Sequence, residues 1–336
     1  MKSTWLARAA IAAALVVVCA DGARAQTSED VGIRAHGMGG AFTAVADDAT
    51  AAWWNPAGLA AGAYFNAVIE SATRRDPATD GAVPAWESGT RGFSIAYPAL
   101  ALSYYRLKVS EIEPVSSIGG AGPGRQDEGS SNVRLSSFVL NQFGVTVGQS
   151  LGNHLVVAST VKLMRGGVGL AVRQASGTTL DAAGDLDRQS EMHPGLDVGA
   201  LSKFGPLRLG VMVRNAKEAT FGEGGQAIEL DRHVRAGVAL ISRSNLTTVA
   251  VDLDLTKTEL PTGESRRFAA GAEAWGATRK IGVRGGVSVN TIGDARPSAS
   301  GGVSAALRSG TFLDVAATAG SDETQRGWGF ALRVTF

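Results

Sequence analysis

The chain has 336 residues, 44 of them Gly and 10 Pro, with 19% charged residues and a formal net charge of +1. That balance lacks the basic excess of a nucleic-acid binder. No apolar run after the first 25 residues reaches the 18 or so needed for a membrane helix, so a helical membrane bundle is excluded. What remains is a soluble β protein or a porin-like barrel, and any membrane crossing must be by strands.

Residues 1–25 read as a secretory signal peptide: Lys2 and Arg8 precede an apolar run from Ala9 to Ala20, and Ala23-Arg24-Ala25 supplies the Ala-x-Ala cleavage wording. The run is too short to span a bilayer. Cys19, the chain's one cysteine, lies inside it, and Val16-Val17-Val18 lacks the small residue that a lipoprotein site requires. Cleavage after Ala25 leaves a mature chain with no disulfide, thiol nucleophile or thiolate metal site.

The stretch from Val31 to Ala60 is rich in Gly and Ala. It holds Gly37-Met38-Gly39-Gly40, the adjacent acids Asp47 and Asp48, and Trp53-Trp54-Asn55-Pro56-Ala57-Gly58. It is too apolar for a linker and too glycine-broken for one long helix. A short helix is expected over Thr43 to Trp54, ending before Asn55 because a residue that precedes proline is pushed out of the helical region, and Asn55 to Gly58 reads as a turn. On local signals alone this is a helix–turn segment packed on some domain.

From Tyr64 onward, segments of about ten residues alternate in polarity with period two and are separated by turn residues. In Asn245 to Lys257 the residues Val249, Val251, Leu253 and Leu255 share one face and Ala250, Asp252, Asp254 and Thr256 the other. The same alternation sets Leu207, Leu209, Val211 and Val213 against Arg208, Gly210, Met212 and Arg214. In the final segment Trp328, Phe330, Leu332, Val334 and Phe336 oppose Gly329, Ala331, Arg333 and Thr335.

The count is about fourteen strands, near 64–71, 91–97, 100–112, 134–149, 154–170, 195–204, 207–216, 228–241, 246–257, 266–275, 280–290, 299–308, 311–319 and 327–336. Short turns follow the even strands. Longer polar loops follow the odd ones, at 72–90, 113–133, 171–194, 217–227, 258–265, 291–298 and 320–326. An even strand count with turns on one side and loops on the other fits a transmembrane antiparallel barrel over 63–336; a sandwich has no such strict alternation.

The run Gly32 to Phe42, then Ala46-Asp47-Asp48-Ala49 and Trp54 to Ala60, resembles the N-terminal signature of the FadL/TodX outer-membrane proteins, with wording closest to their PorV/PorQ-like branch. The resemblance implies that residues 26–62 form a plug, or hatch, inside a 14-stranded barrel in the bacterial outer membrane. A C-terminal strand ending in Phe336 resembles the signal read by the barrel assembly machinery. Passage of small hydrophobic molecules is the function implied. The alternative is a PorV-like barrel that transports nothing and binds partner proteins of a secretion machine.

Catalytic wording is absent: there is no Gly-x-Ser-x-Gly elbow, phosphate-binding Gly-x-x-x-x-Gly-Lys loop or His-Glu-x-x-His pair. His36, His154, His193 and His233 fall in separate segments, so neither metal nor cofactor is expected and the chain does not read as an enzyme. The polar strand faces supply a lumen lining of Arg208, Arg214, Glu229, Asp231, Arg235, Asp252, Asp254, Glu273, Arg284, Arg308, Asp314 and Arg333. In lipid a basic residue among these costs about 2–4 kcal/mol near the midplane, so they are expected to face a wet interior or the plug. That lining either fills the barrel with ion pairs or, with Arg34, Asp47, Asp48, Asn55 and Pro56, forms a gate.

Overall fold

The computed structural model describes residues 31–76, 85–114, 132–174, 179–223, 227–260, 263–321 and 323–336. The signal segment, residues 26–30 and most of the loop at 113–133 lie outside the described residues.

The strands are β1 (Asn66–Asp76), β2 (Ala85–Tyr97), β3 (Leu100–Pro114), β4 (Asn132–Leu151), β5 (Leu155–Gln174), β6 (Glu191–Phe204), β7 (Leu207–Arg214), β8 (Ala219–Phe221), β9 (Ile228–Leu230), β10 (His233–Ile241), β11 (Thr247–Asp254), β12 (Thr258–Leu260), β13 (Gly263–Ser265), β14 (Arg267–Trp275), β15 (Ile281–Asn290), β16 (Ser298–Arg308), β17 (Thr311–Gly320) and β18 (Gly327–Thr335). Fourteen of them close into one antiparallel barrel, sealed where β1 pairs with β18. The other four make two small hairpins, β8–β9 and β12–β13. All fourteen strands expected from the alternation are present.

The faces are inverted relative to a soluble sandwich. On β11, Val249 and Val251 are exposed while Ala250, Asp252 and Asp254 are buried; on β18, Trp328, Phe330 and Leu332 are exposed while Ala331 and Arg333 are buried. Apolar-out and polar-in is the arrangement a lipid-facing barrel requires.

Three expectations are corrected. The strand expected over 228–241 is two elements, because β9 turns away to pair with β8 and β10 begins only at His233. A register shift between Ala306 and Arg308 turns Arg308 to the exposed rim, where its Nε donates to Thr311 Oγ1 at 3.2 Å, so Arg308 lines no interior. The helix expected over Thr43–Trp54 is confined to Ala51–Trp54, since the Asp48 carboxylate accepts from Thr50 N at 2.9 Å and starts the helical turn late.

The wall is uneven. β4 and β5 have 20 residues each, against 8 in β7 and β11. At about 3.3 Å per residue and a tilt near 40°, the long pair rises about 50 Å, twice the roughly 25 Å apolar band of such barrels. On the long-loop side, the helical turn Leu180–Gly184 and residues 185–190 lie back over the outer face of this tall wall. Leu180, Ala183 and Leu186 pack there with Ile112, Val133 and Leu135. Inside the same end, Phe221 of β8 packs on Phe138 at 5.7 Å and on His193 at 4.9 Å between ring centres.

Candidate functional site

Residues 31–62 meet inward-facing groups on strands all round the ring. The Glu70 carboxylate of β1 accepts from Gly32 N at 2.8 Å and Ile33 N at 3.1 Å, capping the helical turn Ile33–Gly37. Across the lumen, Asp252 of β11 accepts from Phe42 N at 2.9 Å and Thr43 N at 2.8 Å. Asn66 Oδ1 accepts from Ala49 N at 2.8 Å. These side chains satisfy amides that a glycine-broken segment leaves without helical partners.

Asn55 sits where two turns meet. Its backbone is extended (φ −164°), as a residue before Pro56 must be, and it separates the Ala51–Trp54 turn from the 3₁₀ turn Pro56–Ala61. Its amide donates to Thr43 O at 2.9 Å and to Ala200 O of β6 at 3.1 Å, while its Oδ1 accepts from Ala57 N at 3.1 Å. Pro56 and Asn55 press against Gly199, where a Cβ would collide with both. Gly271 and Gly286 serve the same way opposite Met38, whose carbonyl lies where their Cβ atoms would be.

The charges form a chain. Arg34 donates from Nε and Nη2 to the two oxygens of Glu273 at 2.8 and 2.6 Å, and from Nη1 to Asp47 at 2.5 Å, with Asp48 at 3.4 Å. Beyond Glu273 come Arg284 at 3.7 Å, then Asp314 at 3.2 Å, then Arg333 at 2.9 Å from Asp314. Arg208 approaches Asp47 at 3.8 Å. Burial alone would lower the pKa of Arg34; Asp47, Glu273 and Asp48 outweigh it and hold the guanidinium well above its ordinary value.

A second set grips the aromatic end. Arg214 donates to Trp53 O at 3.0 Å with its guanidinium 4.3 Å from the Trp53 ring, and Arg235 lies 5.2 Å from the Trp54 ring while its Nε donates to Asp254 at 2.5 Å. His233 stands 3.0 Å from Asp254.

Arg34, Asp47 and Asp48 thus come together with Glu273, Arg284, Arg333 and Arg208, whereas Asn55, Pro56, Arg214 and Asp252 make the segment's contacts elsewhere and Asp254 pairs with the wall groups Arg235 and His233. Asp47 and Asp48 are held mainly within the segment, by Arg34 and Thr50, rather than by wall arginines alone. Glu70, Asn66, Lys203 (Nζ to Ala60 O, 2.9 Å) and the buried Lys162–Asp197 pair at 2.7 Å were not singled out from sequence. Their inward parity was the available signal.

On the short-turn side, the Arg34 chain opens on a cavity of about 330 Å³ whose lining includes Arg34, Asp47, Asp48, Arg208, Glu273 and Arg333. No group of three or more His, Cys, Asp or Glu placed to hold a metal occurs among the described residues.

The family model described as F plasmid transfer operon, TraF, protein matches residues 82–254, slightly more than half of the chain. That description differs from the family suggested by the N-terminal wording. No curated protein matches the chain. Among solved structures, the Ralstonia pickettii toluene transporter TbuX is similar at 15% identity and TM-score 0.59, covering 92% of this chain and 99% of its own. The CymD monoaromatic hydrocarbon channel is similar at 14% identity and TM-score 0.62 (91% and 97% covered), and a Pseudomonas aeruginosa FadL homologue at 11% and 0.59 (94% and 99%). At these identities the likeness is one of fold, that of the FadL-type barrel.

Proposed function

We propose a function for a chain that belongs to the family described as F plasmid transfer operon, TraF, protein: it is an outer-membrane barrel of FadL type, plugged by residues 26–62, that lets small hydrophobic molecules pass. Short turns face the periplasm and long loops the exterior. The observation that carries the reading is the Arg34 chain, which ties the plug to one sector of the wall through ion pairs rather than through a continuous β ladder. Such a tie is separable from the wall, as a gate must be. The shared fold of toluene and monoaromatic hydrocarbon channels supports the class of cargo.

The test is conductance in planar bilayers together with uptake of a monoaromatic hydrocarbon by cells that make the protein. Deleting residues 31–60 is expected to open a large pore, and the intact protein to raise uptake above cells without it. Unchanged conductance in the deletion overturns the plug; uptake no higher than in control cells overturns the passage.

A second reading is favoured by the plasmid-transfer description of the family: a PorV-like barrel that transports nothing and docks partner proteins of a secretion machine. It predicts no uptake, together with site-specific crosslinks from the long loops to a protein of that machine.

A further inference from the structure

We propose that the outer wall over β2–β5 carries a binding site for the phosphorylated headgroup of an outer-leaflet glycolipid of the lipid A type, formed by Arg91, Arg106, Arg165 and Arg188. The inference rests on the outer-membrane placement proposed above. The strand register carries it. Phe93 pairs with Tyr104, Tyr104 with Phe143 and Phe143 with Leu163, giving one apolar and aromatic row across four strands on the lipid side. Two residues further toward the long loops the next outward row is Arg91, Arg106, Asn141 and Arg165, in the same pairing. Below lie the exposed Ile95, Leu102, Val147 and Val161. An aromatic row marks the edge of the hydrocarbon, so the arginine row stands at headgroup height on the exterior side.

The row is electrostatically incomplete. Arg91 and Arg106 are direct cross-strand neighbours, and like charges so placed destabilise a sheet. Among the described residues no carboxylate pairs with Arg91, Arg106, Arg165 or Arg188. Asn141 Oδ1 accepts from the Tyr104 hydroxyl at 2.9 Å, and among the described residues its amide hydrogens have no acceptor. Arg188 comes from the segment folded over the wall, fixed by Nη1 bonds to Ser137 Oγ and Gly184 O, each 3.0 Å, while its Nε and Nη2 have no partner among the described residues. Arg106, Arg165, Arg188, Asn141 and Ser190 line a cavity of about 220 Å³ in which no acid takes part.

Three guanidinium groups around one cavity suit an acceptor with three oxygens and more than one negative charge better than a carboxylate with two. The apolar row directly beneath suits acyl chains attached to that headgroup, which separates a lipid from a free anion.

The full-length protein, purified in a neutral detergent, is tested by native mass spectrometry with three probes: diphosphoryl lipid A, the same glycolipid without phosphates, and inorganic phosphate. The parent is expected to retain lipid A at least about tenfold more tightly than R106Q/R165Q, and to hold the dephosphorylated glycolipid no better than the variant does. The single variant R165Q, whose exposed side chain leaves the ladder intact, gives an intermediate loss and keeps the test decisive should the double variant assemble poorly. Equal retention of lipid A by parent and variants overturns the site. So does equal binding of the dephosphorylated glycolipid, or inorganic phosphate displacing lipid A at equal concentration. Binding in detergent is independent of location, so a failure of the outer-membrane reading shows instead in cell fractionation.

Discussion

Arg34 and Glu273, 239 residues apart, meet as a two-pronged ion pair, Nε and Nη2 of the guanidinium to the two carboxylate oxygens at 2.8 and 2.6 Å. Neither partner is isolated without the other: Arg34 keeps Asp47, and Glu273 keeps Arg284 at 3.7 Å. Breaking a buried pair costs about 3–5 kcal/mol when the survivor is stranded. Here each survivor retains a neighbour, so R34Q and E273Q are each expected to fall below that range. Their double variant should cost less than their sum, by a coupling of about 0.5–3 kcal/mol. Thermal unfolding of the four proteins closes the cycle. Strict additivity removes the pair as the latch.

The adjacent acids are not equivalent. Asp48 is buried and accepts from both Thr50 N at 2.9 Å and Thr50 Oγ1 at 2.5 Å, whereas the Asp47 side chain is 26% exposed and shared between Arg34 and Arg208. D48A therefore leaves a buried amide unsatisfied and should destabilise by about 1–3 kcal/mol. D47A should change stability by less but raise conductance, because it removes the link between Arg34 and Arg208. The reverse ranking in unfolding experiments refutes this division.

Phe336 closes the ring through backbone as well as side chain. Phe336 N donates to Phe65 O at 2.9 Å, Phe65 N donates to Phe336 O at 3.0 Å, and the two rings stack with centres 6.4 Å apart. F336D puts a charge on the exposed apolar face at this seam and is expected to lower the amount of heat-modifiable barrel in membranes several-fold. Normal amounts of folded barrel would remove the assembly role.

Topology follows from the turns. Protease added to intact cells should cut within 113–133, and within 171–194 only away from Leu180 to Leu186, because Leu180, Ala183 and Leu186 are buried against the outer wall. Cleavage confined to the turn between β4 and β5 would reverse the orientation.

The wall was legible because lipid on one side and a polar interior on the other impose period two on every strand; Val249 to Asp254 and Trp328 to Arg333 carry that pattern residue by residue. What the alternation does not encode is which inward residue faces which across the lumen. Arg34 finding Glu273, or Gly32 finding Glu70, depends on ring closure and strand stagger rather than on spacing along the chain. The break before His233 and the bulge at Arg308 escaped for the opposite reason, since both preserve local alternation while changing the partner strand or the direction of one side chain. Inward glycines at 210, 271 and 286 are a sign the sequence does carry, because a strand gives up packing at Gly where another backbone comes close.

That sign yields the sharpest test of how the segment sits. Gly286 lies in β15, paired with Gly271 of β14, and a Cβ at Gly286 would overlap Met38 C and O and Gly39 N. Valine is well suited to a strand, so G286V leaves the ladder itself able to form. Met38 is fully buried and Gly39 has φ +68°, a conformation other residues rarely adopt, so this part of the segment has little room to shift. Overpacking of this kind costs about 1–3 kcal/mol, and the strain falls on the contact between segment and wall. The expected result is a barrel that still shifts on heating, with residues 31–62 newly open to protease from the short-turn side and a raised conductance. G285V is the control, since the Gly285 Cβ position meets nothing closer than 3.8 Å. If G286V stays closed and protected while G285V behaves identically, the segment is not pressed against β14 and β15, and the plug must be held by Glu70, Asp252 and the Arg34 chain alone.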